Sequence, residues 1–151
     1  MRFECLSDAV AYFFNNPMHC RQLWIKARWP NGIRCPHCDM EYHPRQDVEQ
    51  MHCRGCYRYF TVITGTILRG TRLPLAAWFT VIWAFTYVQS PSGRLIAAAL
   101  GARRHHAYCR AKKIVRGVCA ELRESGSWRD GDRFETLLRG CTVTKHDVVT
   151  T

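Results

Sequence analysis

The chain has 151 residues, nine of them Cys, with 22 Lys+Arg against 12 Asp+Glu for a formal net charge of +10, and 47% of it is hydrophobic. That length bounds it to one domain or two small modules, the apolar content excludes wholesale disorder, and the charge points to a polyanionic partner. The longest apolar run, Leu75 to Val88, has 14 residues where a membrane span needs ~20, and no apolar stretch follows a charged head at the N-terminus, so neither a membrane span nor a signal peptide is expected.

Ser7 is placed to cap a short first helix with Ala9, Val10, Phe13 and Phe14 on its buried side, ended by Asn15-Asn16-Pro17. Pro17, with Asn16 as cap, suits the first turn of a second helix whose inward residues are Cys20, Leu23, Trp24 and Ala27. Trp29-Pro30-Asn31-Gly32 ends that helix. Two C-x-x-C pairs follow, and Tyr57 to Ile63 alternates aromatic and β-branched residues as a strand does. Pro74 opens a helix in which Leu75, Trp78, Phe79, Ile82 and Trp83 form a stripe widened by Val81, Phe85 and Tyr87, which marks it as the centre of a core. A short helix from Arg94 to Leu100 stops at Gly101. A longer one runs from about Arg104 to Leu122 with Ala107, Ala111, Ile114, Val115, Val118 and Leu122 facing inward. Beyond a loop from Ser125 to Gly131 there is one weak helical stretch near Phe134 to Leu138.

Cys35, Cys38, Cys53 and Cys56 form C-x₂-C-x₁₄-C-x₂-C. Two such knuckles supply four thiolates in the tetrahedral arrangement of one structural Zn²⁺ ion and leave no open position for catalysis by the metal. With no export signal, this spacing reads as metal binding in a reducing cytoplasm, and no βαβ pattern supports a redox dithiol. His37 and His52 stand beside the ligands as conceivable substitutes. Cys5, Cys20, Cys109, Cys119 and Cys141 lack ligand spacing and read as small buried hydrophobes or free thiols. Four thiolates and one Zn²⁺ together add −2, bringing the charge to about +8.

The charge has an address. Residues 1–49 and 121–151 each hold nearly equal numbers of both signs. Between Glu49 and Glu121 there is no acid, while Arg54, Arg58, Arg69, Arg72, Arg94, Arg103, Arg104, Arg110, Lys112, Lys113 and Arg116 accumulate. A merely solvated surface mixes both signs. The segment from Ser92 to Gly117 has a short helix, a glycine turn and a second helix beginning Arg103-Arg104-His105-His106, as in a helix-turn-helix whose second helix meets base edges at its start. Arg103 or Arg104 suits bidentate reading of guanine, and His105, His106 and the later cations suit flanking contacts. Adjacent histidines on a helix point about 100° apart, which disfavours a second metal pair at His105 and His106.

The ordered strings R-W-P-x-G-x-x-C-P-x-C from Arg28 to Cys38 and T-G-T-x-x-x-G-T-x-L-P-L-x-x-W-F from Thr64 to Phe79 resemble the N-terminal part of bacterial insertion-sequence (DDE-type) transposases. In that family a zinc ribbon precedes a helix-turn-helix. The resemblance spans roughly residues 8–117, and Gly101, Ala107 and Tyr108 also fall where the family has a Gly, an Ala and an aromatic. It implies binding of duplex DNA, at the element's inverted repeats, by ribbon and helices. Arg103 stands where the family commonly has a small polar residue, which alters the expected target sequence. The family's RNase-H-like catalytic domain, with three metal-binding carboxylates, has no counterpart in the 34 residues after Gly117, so no catalytic residue and no enzyme activity is expected.

The expected fold class is α+β and mostly helical: N-terminal helices (1–30), a small β zinc ribbon (31–72), a helix-turn-helix bundle (73–123) and a tail (124–151). The leading function is a zinc-dependent, non-catalytic binder of double-stranded DNA in the bacterial cytoplasm, associated with the nucleoid and acting in transcription regulation or DNA architecture. One alternative is a truncated transposase whose catalytic part is lost or on another chain. Another is a ribbon that engages the transcription machinery, with Trp128 and the acidic tail as contact points. Homodimerisation or another protein partner through the tail is compatible with each, and zinc ribbons also serve RNA-binding proteins.

Overall fold

The computed structural model describes residues 3–44, 48–87, 91–100, 105–128 and 133–143; side-chain statements exclude His105. Its elements are α1 (Leu6–Asn15), α2 (Pro17–Arg28), β1 (Met51–His52), β2 (Tyr59–Phe60), α3 (Leu75–Tyr87), α4 (Gly93–Ala99), α5 (His105–Glu124) and α6 (Arg133–Thr142). The described residues are mostly helical, with one two-stranded antiparallel sheet that pairs Met51 with Phe60 and His52 with Tyr59.

The apolar composition of α3 sets the architecture. Ala76 to Phe85 are all buried, and the helix packs against α1, α2, α4, α5 and α6. A helix apolar on every side must be covered on every side, which is why the others surround it. Tyr87 departs from the expected stripe: it is exposed, its ring stacked on Trp83 at 4.9 Å and its hydroxyl donating to the Glu4 carbonyl.

Helices α1 and α2 meet at Pro17, whose missing N–H suits the first helical position. Their caps differ from expectation. Cys5, not Ser7, is the N-cap of α1, and Asn16 caps α2 by position only, its amide donating instead to the Tyr12 carbonyl at 2.8 Å. Phe13 is buried as expected, but Phe14 is 45% exposed, because adjacent residues on one helix turn away from each other.

The C-terminal helix is longer and better buried than its sequence signal indicates. Phe134, Leu137, Leu138 and Cys141 of α6 are all buried, and the Phe134 ring lies 6.1 Å from Phe13 and 5.8 Å from Phe79, joining α1, α3 and α6. Gly140 weakens the helical signal, yet a Cβ there would come within 2.8 Å of Val118 Cγ1 and 2.9 Å of Leu122 Cδ1. Its missing side chain is what lets α6 approach α5. Trp128 is half-buried against this core with the Arg123 guanidinium 5.2 Å from its ring.

The segment from Tyr57 to Ile63, expected as one strand, is strand only at Tyr59 and Phe60 and then breaks into turns. Threonine hydroxyls hold those turns. Thr61 N–H donates to Thr64 Oγ1 at 2.9 Å, Thr66 Oγ1 donates to the Ile63 carbonyl at 2.8 Å, and Thr71 Oγ1 accepts from Trp78 Nε1 at 3.1 Å. From α2, Trp24 Nε1 and Arg28 both donate to the Val62 carbonyl, at 2.8 and 2.6 Å, and Arg28 also donates to the Thr64 carbonyl. The ribbon is thereby bolted to the helical core through backbone carbonyls. Replacing Arg28 by Met keeps much of the stem volume and removes these charge-assisted bonds. It is expected to destabilise the protein by about 2–4 kcal/mol in a urea titration, and a change inside experimental error would show that the bolt carries no load.

Candidate metal centre

Each ribbon knuckle is built the same way. In the first, Cys35 N–H donates to the Met40 carbonyl and Asp39 N–H to the Cys35 carbonyl, with Asp39 at φ +61° closing the loop. In the second, Cys53 N–H donates to the Arg58 carbonyl and Tyr57 sits at φ +58°. An isolated bridge between Arg34 and Glu41 closes the first hairpin and the β1–β2 pair closes the second. Met51 and Phe60 are buried beneath, with Tyr42 and Trp29 edge-on to the Phe60 ring at 5.5 and 6.5 Å.

The four cysteine sulfurs, one from each arm of the two knuckles, all lie within 4.8 Å of one another. Cys35 Sγ is 3.7 Å from Cys56 Sγ, and Cys38 Sγ is 3.5 Å from Cys53 Sγ. Sulfurs placed tetrahedrally about zinc at a Zn–S distance of ~2.3 Å stand about 3.8 Å apart, so the donor set fits that ion. Backbone N–H groups already point at the sulfurs: His37 N to Cys35 Sγ at 3.4 Å and Gly55 N to Cys53 Sγ at 3.3 Å. The Cys56 and Gly55 N–H groups hold the Cys53 thiol down to about 6, whereas burial pushes Cys35 up to about 12. Zinc would be held by these four thiolates and would supply a structural cross-link between the knuckles. His37 and His52 are exposed and stand outside the sulfur cluster.

All nine cysteines are free. Burial raises the thiols of Cys20, to about 11, and of Cys119 and Cys141, which accordingly behave as buried hydrophobes; Cys5 and Cys109 are exposed.

The candidate nucleic-acid residues fall in several places. Arg54 and Arg58 are exposed on the second knuckle, and Arg69 and Arg72 on the turns that follow it. Arg94 is exposed on α4, which is capped by Ser92 Oγ accepting from Leu95 N–H at 3.0 Å. On α5, Tyr108, Ala111, Val115, Val118 and Cys119 are buried, while His106, Arg110, Lys113 and Arg116 are exposed and Lys112 is half-buried. Ala107, expected to face inward, is exposed, and Tyr108 takes the buried place beside it. Helices α4 and α5 touch closely: a Cβ on Gly93 would meet Cys109 Sγ at 2.6 Å. Arg103, Arg104 and the turn at Gly101 lie outside the described residues, as does the His105 side chain. Among the described residues, Arg54, Arg58, Arg69, Arg72, Arg94, Arg110, Lys112 and Lys113 form no ion pair with an acid. Sequence reasoning placed Trp24 on the inward face of α2 but missed the bonds that Trp24 and Arg28 make to the Val62 and Thr64 carbonyls.

Fold and site together define a four-cysteine zinc ribbon joined to a helical body. Residues 15–58 match a family described as transposase zinc-ribbon domain. The chain is also similar to an uncharacterized protein in transposable element ISH50 of Halobacterium salinarum, at 27% identity over 112 residues. That match covers 71% of this chain and 37% of the relative, so the chain spans well under half of the relative's length. No solved structure matches it. No helix among the described residues is long and apolar enough to cross a membrane.

Proposed function

We propose that this chain is a zinc-dependent binder of duplex DNA, derived from a transposase and non-catalytic, acting as a transcriptional regulator or architectural factor on the bacterial nucleoid. The ribbon similarity and the four-sulfur cluster support the transposase relationship. The observation that carries the DNA reading is the exposed face of α5. Arg110 and Lys113 are one turn apart, opposite the buried Tyr108, Ala111 and Val115, and have no acid partner among the described residues. Unpaired cations at helical spacing match the phosphate row beside a groove. In this reading α4 and α5 form the helix-turn-helix. Arg103 and Arg104 meet base edges, His105 and His106 lie beside them, and Lys112, Arg116, Arg94, Arg69, Arg72, Arg54 and Arg58 contact phosphate.

Selection of sequences from a random duplex pool with zinc-loaded protein tests this directly. An enriched site is expected, with log K falling against log salt at a slope of roughly −5 if about six cations neutralise phosphates. Salt-insensitive association, or none, would refute it. A second reading is favoured by the 37% coverage of the ISH50 relative: catalysis in the whole system resides in sequence beyond these residues or on another chain. A neighbouring reading frame with clustered carboxylates between inverted repeats would support that arrangement.

A further inference from the structure

We propose that the outer face of the ribbon's second hairpin is a stacking platform for the unpaired bases of a single-stranded nucleic acid. The β1–β2 register sets Met51 opposite Phe60 and His52 opposite Tyr59. Alternation along a strand sends the first pair into the core and the second outward. The His52 and Tyr59 rings are 4.7 Å apart, and Tyr57 joins them with its ring 6.2 Å from His52. Tyr57 is 75% exposed and Tyr59 62%, so two tyrosine faces stand in solvent with His52 between them.

The backbone at Tyr57 strengthens the case. The equivalent closing position of the first knuckle is Asp39, a residue type that tolerates the left-handed region, whereas Tyr57 holds a bulky aromatic there at φ +58°. Conformations of this kind concentrate at functional sites. No packing accounts for the ring, since it is mostly in solvent.

The charges beside the platform suit a phosphate chain. Arg54 within the knuckle and Arg58 between the two tyrosines are exposed and pair with no acid among the described residues. The acid on the neighbouring cavity wall, Glu41, faces His43 at 3.7 Å. Bases inside a duplex already stack on one another and present only their edges. Free tyrosine faces flanked by arginines therefore fit bases that are out of the helix, because every base has a π-face and stacking is tolerant of sequence. The unpaired bases could belong to single-stranded or frayed DNA or to RNA. This proposal rests on the nucleic-acid reading above but uses a different surface from α5.

The test is fluorescence anisotropy with the zinc-loaded 151-residue chain on labelled dT and rU oligonucleotides of about 12 nucleotides, within the range of single-strand site sizes, and on a blunt duplex. Tyr57→Gly removes the ring and suits φ +58°, and Tyr59→Thr keeps a good strand residue, so the paired variant should retain its zinc and its fold. At about tenfold per ring, that variant is expected to bind the single strands about 100-fold more weakly while blunt-duplex affinity holds within about twofold. Tyr57→Phe with Tyr59→Phe should restore single-strand binding. The dT and rU arms show which strand chemistry is preferred. Single-strand affinity unchanged in the Gly/Thr variant, or lost in step with duplex affinity, would overturn the proposal. Loss of duplex binding alone in Arg110→Ala/Lys113→Ala would leave it standing, and failure of wild-type protein to bind duplex would count against the α5 reading only.

Discussion

Zinc removal by a strong chelator is expected to unfold the ribbon and leave the helical body folded but weaker. Among the described residues between Ile33 and Phe60, only Cys35, Met51, Cys53 and Phe60 are buried hydrophobics, and both strands are two residues long. A module this small lacks the core to fold without a cross-link, and structural zinc contributes ~10–16 kcal/mol of apparent binding energy. The helical body has its own core around α3, including the Phe13, Phe79 and Phe134 rings, and does not need the metal to close. Far-ultraviolet circular dichroism should therefore keep most of its helical signal. The near-ultraviolet signal should fall as Trp29 and Tyr42 lose their contacts with Phe60. The urea midpoint should also fall, because Trp24 and Arg28 lose the ordered Val62 and Thr64 carbonyls. Cys53→Ser should reproduce these changes, and metal analysis should give one zinc per wild-type chain. A chelated protein with unchanged near-ultraviolet signal and urea midpoint would refute this account of the ribbon.

In a DNA-binding assay, Arg103→Ala/Arg104→Ala and Arg54→Ala/Arg58→Ala are expected to fail in different ways. A bidentate contact to guanine discriminates by ~1–3 kcal/mol, so loss of that contact in the first pair should cost about 5- to 150-fold on the selected site and relax its sequence. The second pair lies on the ribbon and, as phosphate contacts, should weaken all duplexes alike and reduce the salt slope by about 0.9 for each arginine lost. Selection with each double variant, followed by affinity measurements at several salt concentrations, separates the two effects. An unchanged selected sequence in the Arg103/Arg104 variant would remove the base-reading role from those two arginines.

Most of the metal centre was legible from spacing, because a C-x-x-C knuckle is a local structure and two of them have one economical use. The helices were legible where apolar residues recur at helical spacing and proline or glycine breaks the chain, as at Pro17 and Pro74. Where side chains are shared between elements, the reading fell short. The T-G-T string reads only as a family resemblance, whereas its threonines tie turns, the Thr64 carbonyl receives Arg28, and the Val62 carbonyl just before it receives both Trp24 and Arg28. Helix α6 was underestimated because Gly140 lowers helix propensity, and the benefit of that glycine is an approach to Val118 and Leu122 on a different helix.

By itself, then, the sequence determined what depends on neighbours along the chain: four thiolates in two knuckles, an all-round apolar helix and an acid-free stretch of cations. Tertiary structure decided what depends on neighbours in space. It gathered the four sulfurs to within 4.8 Å, anchored the ribbon to α2 through carbonyls and left Tyr57 and Tyr59 facing solvent beside arginines that pair with no acid among the described residues. Periodicity and spacing specify which face of an element is apolar or charged. Only the packing of elements against one another settles which groups meet and which remain for a partner.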